Sequence, residues 1–349
     1  DLYPATGMQQ GLLFHSLLEA GSYVTQTRVS FKGLNVAAFK GAWSGLLQSH
    51  GIFRTGFVGV ESGQAHQRVE KAVPLGWHEE DLSQMTSAEQ AQYLDDYQER
   101  DKRRGFDITA APLMRCSLFK QGDEQTLLWS IHHALLDGWC IPLVFGEINR
   151  RYEALLAGQA EQEAPRYSYR DYAQWLSQQD IAATKRYWQD ELKDIESHTE
   201  LPLNEGVAST TSVEYRMEFS AAETAALQGL AARVQTTLNI VVQTAWGLLL
   251  KRYGNHDAVV FGTVTSGRPS DLAGVESILG LFINTVPVVL DVKAQDDVRE
   301  LLVRQHTRQV ERESHSYYPL YEIQKLGPLK KGLFSSVFVF ENYPIDKQL

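Results

Sequence analysis

Between residues 36 and 48, Val36, Phe39, Trp43, Leu46 and Leu47 recur at helical spacing and predict an amphipathic helix with one buried face. A second helix is expected over 87–103, opened by Ser87 and Gln90 at capping-box spacing and stopped near Gly105. Apolar runs at 113–119 and 125–131 flank Gln121-Gly122-Asp123, so this stretch reads as a hairpin. A helix over 142–157 follows, with Pro142 suited to its first turn. The segment 159–165 is polar and ends in proline, while 171–192 reads as helical and rich in Trp and Tyr. We place a boundary here, giving lobes of 1–170 and 171–349. The second half alternates again: strand 213–219, helices 221–234 and 238–252, strands 258–264 and 282–292, helix 296–312 and strand 333–340. Two α/β lobes of comparable size are the expected fold class.

Composition narrows the function. The 349 residues exceed the usual size of one domain, and 43% apolar content supplies sizeable cores. A formal charge of −10 argues against nucleic acid as a partner, which would demand a clustered basic surface. Lys102-Arg103-Arg104 is short and set among acidic residues, so it reads as solvated helix. The acidic runs Glu79-Glu80-Asp81 and Asp95-Asp96 read likewise as surface, not as catalytic carboxylates. No apolar run is long enough to span a bilayer, and no secretory leader is visible. Cys116 and Cys140 are too few for a disulfide framework or a zinc site, and each reads as a small buried hydrophobe. A cytoplasmic setting is expected. The chain opens without a methionine, as expected of a segment from something larger.

Candidate chemistry concentrates in Trp129-Ser130-Ile131-His132-His133-Ala134-Leu135-Leu136-Asp137-Gly138-Trp139. An apolar strand ends in two histidines, and a short connection leads to Asp-Gly and a helix. Adjacent strand residues point to opposite faces, so His132 and His133 have different tasks. Asp137 has two readings: an imidazole partner that fixes a tautomer, or an ion-pair partner that braces the loop. Metal binding is disfavoured, because opposed histidines do not chelate one ion and no third ligand is near.

The pattern His-His-x-x-x-Asp-Gly resembles the signature of nonribosomal peptide synthetase condensation domains, of the chloramphenicol acetyltransferase-like superfamily. Other stretches resemble the family's motifs in order: Tyr3-Pro4 with Met8 through His15; Ser49-His50-Gly51-Ile52-Phe53-Arg54-Thr55-Gly56-Phe57, with Gly51 where glutamate is commoner; Tyr169 through Trp175; Gly280 through Pro287; and, more loosely, His315 through Glu322. The resemblance spans nearly the whole chain.

It implies two acetyltransferase-like lobes arranged as a V-shaped pseudo-dimer around a central tunnel. It also implies peptide-bond formation between a donor aminoacyl or peptidyl thioester and an acceptor amine. No cofactor is expected to bind directly. Instead, phosphopantetheine arms come from donor and acceptor peptidyl carrier domains, beside an adenylation domain in the same megasynthase. By motif position His133 is the expected catalytic residue, as general base or as positioner of the reacting groups. His132, Asp137, Gly138, Arg54 and Arg268 are expected to support the site, with Asp137 and Arg268 paired. Asn284, His15 and Trp139 are expected near the tunnel. Trp175, Tyr187 and Trp188 read as packing at the lobe junction. The opening motif, Leu136 through Trp139, Gly280 through Val288 and Phe340-Glu341-Asn342-Tyr343-Pro344 resemble domains that accept an L-configured donor. Family members continue past this last stretch, so the second lobe is expected to be incomplete at Leu349. The rival readings are another His-His-x-x-x-Asp-Gly acyltransferase, an epimerization domain, and an inactive domain that recruits carriers.

Overall fold

A computed structural model of the chain describes residues 1–19, 21–159, 164–200, 213–254, 258–293, 295–329 and 332–341. Contacts divide it into two compact units. The first holds Asp1–Gln179 and also Arg268–Ile283; the second holds Asp180–Gly267 and the described chain from Asn284 onward.

In chain order the first unit contains β1 (Leu2–Pro4), α1 (Gly7–Leu18), β2 (Val24–Lys32), α2 (Val36–Ser49), β3 (Thr55–Val58), β4 (His66–Val69) and β5 (Trp77–Asp81). It continues with α3 (Ser87–Arg104), β6 (Met114–Gln121), β7 (Glu124–His132), α4 (Cys140–Leu156) and α5 (Tyr169–Ser177). Its main sheet has the order β2-β7-β6-β5, antiparallel except for the parallel β5–β6 pair. The 121–123 turn closes the β6–β7 hairpin, as its turn chemistry predicts. On one face of this sheet Cys116, Leu118, Leu127, Trp129 and Ile131 join the core formed with Phe39, Trp43, Leu46 and Leu47 of α2 and Val144 and Ile148 of α4. On the other face, Phe119 and Leu128 pack with Leu94 of α3. Cover on both faces explains why β6 and β7 are buried along most of their length, Ser117, Thr126 and Ser130 included, and not on alternate residues only.

Helix α3 starts at Ser87, as expected, but its cap lies one residue earlier: the side chains of Thr86 and Glu89, not Ser87 and Gln90, form the capping box. The stretch 171–192 is helical, as expected, and is divided between α5 and a second helix. Asp180 accepts from the Ala183 amide and caps a new helix, α6 (Ile181–Leu192). The first unit therefore extends to Gln179 rather than 170. The reason is that Tyr169 and Tyr172 of α5 pack on Phe282, and the Tyr169 hydroxyl donates to the Leu281 carbonyl at 2.5 Å. Of the polar stretch 159–165, residues 160–163 lie outside the described residues.

After α6 the second unit contains α7 (Ala221–Arg233), α8 (Leu238–Gly254), β8 (Ala258–Thr265), β9 (Asn284–Asp291), α9 (Val298–Glu313), α10 (Leu320–Leu326) and β10 (Val337–Phe338). Its sheet order is β10-β8-β9. Trp188, Val260, Val286 and Ile323 anchor one core of this unit, and Leu250, Phe261 and Leu290 another. Two expectations fail here. The last strand is short, and residues 213–219 form no strand: Val213, Tyr215, Met217 and Phe219 are 86, 90, 67 and 56% exposed. Alternation supplies a face, but a strand also needs a neighbour to bond, and none of the described residues pairs with this one. Of the aromatic residues read as junction packing, Trp175 lies in the first unit and Tyr187 and Trp188 in the second. Of the stretch 340–344, residues 342–344 lie outside the described residues.

Candidate active site

Strand β7 is central in its sheet, and its last residue, His132, pairs with Val24. Its amide donates to the Leu113 carbonyl. Inward orientation leaves its imidazole 2% exposed. Nδ1 accepts from the Ala134 amide at 3.1 Å, so Nε2 carries the proton and donates to Ser16 Oγ at 2.9 Å. Ser16 in turn donates to Leu12 O, within α1. Burial, and secondarily the neighbouring His133, lowers the His132 pKa to about 4. This imidazole is a neutral strut between α1 and the loop.

His133 leaves the sheet and is half-buried. Its amide donates to Tyr23 O at 2.7 Å, and its Nδ1 lies 2.7 Å from the Leu136 carbonyl. A carbonyl only accepts, so Nδ1 bears the proton and the neutral ring keeps a lone pair on Nε2. Tyr23 holds a left-handed backbone, φ 59°, to present that carbonyl. The Gln9 side chain, wholly buried, donates to Ala134 O at 3.0 Å and to Gln67 Oε1, adding a second tie from α1 to the loop.

Asp137, 2% exposed, faces inward. Its Oδ2 accepts from the amides of Phe282 and Ile283 at 2.9 and 3.3 Å, and Oδ1 lies 3.7 Å from Arg268 Nη2. Arg268 itself donates to Val275 O and Ile278 O and lies over the Phe282 ring. The carboxylate thus braces the loop and does not touch an imidazole. Gly138 gives its carbonyl to the Ile141 amide, and Trp139 caps α4.

The remaining expected residues are dispersed. Arg54 donates to the carbonyls of Glu70 and Lys71, which ties it to the end of β4 and not to the histidine loop. His15 is exposed on the last turn of α1, its ring 6.4 Å from that of Tyr23. Asn284, in the second unit, donates to Ser316 O and Tyr318 O. A cleft of about 560 Å³ lined by Trp77, Tyr97, Phe106 and Arg115 includes none of residues 132–138. Among the described residues, no three His, Cys, Asp or Glu side chains are grouped to hold a metal ion.

Ser16, Gln9, Tyr23 and Cys140 all touch the loop, and sequence reading assigned none of them a role. Gln9 carried a signal, its place inside the opening motif, and so did Cys140, directly after the histidine motif. It is buried as predicted, but its sulfur has polar neighbours on every side.

The condensation-domain family model matches residues 1–349. The chain belongs to the condensation-domain family. Among relatives, one of the linear gramicidin synthase proteins of Brevibacillus parabrevis is 42% identical over 99% of this chain, and one of the plipastatin synthase proteins of Bacillus subtilis (strain 168) is 36% identical over 100%. The chain spans only 7% and 10% of their respective lengths. Among solved structures, the first condensation domain of the calcium-dependent antibiotic (CDA) synthetase superposes with a TM-score of 0.75 at 18% identity, covering 98% of this chain and 83% of that one. The X-domain from teicoplanin biosynthesis superposes at 0.76 with 25% identity, covering 96% of this chain and 76% of that one. Condensation domains are amide-forming acyltransferases of peptide synthetases, and the fold is the chloramphenicol acetyltransferase-like one.

Proposed function

We propose that this condensation domain joins a donor aminoacyl or peptidyl thioester to the amine of an acceptor aminoacyl thioester, with His133 acting on that amine. The nitrogen attacks the thioester carbonyl, the C–S bond breaks, and the proton lost by nitrogen ends on the departing thiol. The observation that carries this reading is the bond from His133 Nδ1 to Leu136 O. It leaves Nε2 as the acceptor of a half-buried imidazole, suited to orient an amine N–H and to take its proton as the new bond forms. An α-amino group with an ordinary pKa of about 8 is partly neutral near neutral pH, so the base acts during attack, not before it.

Both substrates are proposed to arrive on phosphopantetheine arms of carrier domains in a larger synthetase that also holds an adenylation domain. The setting is proposed to be cytoplasmic, in keeping with two free, buried thiols. An L-configured donor is proposed on the motif resemblance alone.

The test loads two carrier domains with aminoacyl-phosphopantetheine and follows the dipeptidyl product by mass spectrometry. His133→Ala is expected to lower the rate about 10²–10⁴-fold, roughly 3–5 kcal/mol of barrier, with an unchanged thermal melt. A rate equal to that of the parent chain removes His133 from the mechanism. The X-domain was also solved in complex with OxyB, which keeps a recruiting role as the rival outcome. That role predicts no dipeptide from either chain.

A further inference from the structure

We infer that Cys140 is a positioning residue of this site: its thiol locks the histidine loop to the backbone of residues 278–283. The activity arm of the inference rests on the amide-forming reading above.

Cys140 opens α4, three residues after Asp137, and its side chain is wholly buried. Four polar groups surround its sulfur. The thiol donates to Gly280 O at 3.2 Å or to Asp137 Oδ1 at 3.4 Å; it accepts from Arg268 Nη2 at 3.2 Å and from the Gly280 amide at 3.4 Å. Along the facing segment several backbone groups are held in turn: Ile278 O by Arg268, Gly280 by Cys140, Leu281 O by Tyr169, and the Phe282 and Ile283 amides by Asp137. Cys140 is the member that touches the carboxylate, the guanidinium and the segment together.

Gly280 permits this approach. A Cβ there would lie 2.0 Å from the Tyr169 ring, so only glycine lets the backbone sit between that ring and the sulfur. Burial, and after it the Asp137 charge, pushes the thiol up to about 12, which keeps it a donor. Removing the sulfur leaves the buried Gly280 amide and one arm of Arg268 without a hydrogen-bond partner, and Asp137 loses a donor. Leu136, whose carbonyl fixes the His133 tautomer, is the next residue along the chain from Asp137. A loosened carboxylate therefore reaches the imidazole through one peptide unit.

Two measurements test this. The first needs no substrate. Under native conditions Cys140 and Cys116 are alkylated with iodoacetamide and quantified separately by mass spectrometry; Cys116, buried on β6, is the internal reference. Asp137→Asn is expected to speed labelling of Cys140 about tenfold or more relative to Cys116. Equal acceleration of both, or of neither, overturns the lock. The second is kinetic. Cys140→Ala is expected to lower kcat about tenfold or more at constant KM, and Cys140→Ser, which restores a donor and acceptor, to recover at least about a third of it. Parent-like kcat in the alanine variant, or no recovery by serine, overturns the positioning role. If the parent chain makes no dipeptide, the reaction reading fails while the labelling result still decides the lock.

Discussion

The imidazole of His132 accepts from the Ala134 amide and donates to Ser16, so a second ring proton would meet an N–H instead of an acceptor. Its pKa near 4 in the folded chain, against about 6.5 when unfolded, gives a signed prediction. Above pH 6.5 neither state binds the proton. As pH falls from 6.5 toward 4, the unfolded chain takes it up and the folded chain does not, so stability is lost, by about 3 kcal/mol across that window. Urea melts at pH 7 and pH 4.5 should show this slope in the parent chain and lose much of it in His132→Asn, whose amide oxygen can still accept from Ala134. Equal slopes in the two chains would assign the acid sensitivity elsewhere. His133, one residue on, has left the sheet and meets the surface. Period-two alternation was enough to give the two histidines different roles, and motif position named His132 as the support; that it leans on Ser16 of α1 took the structure to decide.

At the scale of elements, the loop between β7 and α4 is held by others: α1 through Gln9 and Ser16, Tyr23 just before β2, and residues 268–283 through Asp137 and Arg268. The side chains of Asp137 and Arg268 are 0% and 5% exposed. Asp137→Ala strands a buried guanidinium and two backbone amides, so a loss of about 3–5 kcal/mol is expected in denaturant melts. A variant as stable as its parent would rule out the brace. Elements with internal signals were legible in the sequence. The α2 stripe and the β6–β7 hairpin depend on neighbours a few residues away. The 213–219 segment shows the converse, because its alternation is as regular as any strand's and still finds no partner among the described residues.

For the whole molecule, each hydrophobic cluster of described residues belongs to one unit: one set gathers around Trp43 and Trp129, the other around Trp188, Val260 and Phe261. Truncating Leu46 in the first or Ile323 in the second to alanine should each cost about 2–5 kcal/mol. Without shared neighbours, the double variant should equal the sum to within about 0.5 kcal/mol in denaturant melts. A larger discrepancy would mean that the cores are energetically coupled.

The sequence by itself determined the fold class, most helices and strands, and the candidate catalytic imidazole with its inward and outward neighbours. These follow from short-range periodicity and from a motif whose residues adjoin in the chain. Tertiary structure alone decided that residues 268–283 return to the first unit, that α5 stays with it, and that a cysteine read as inert packing sits among Asp137, Arg268 and Gly280. Those facts depend on pairs separated by more than a hundred residues, and local spacing carries no record of which distant backbone will come within reach of a buried polar atom.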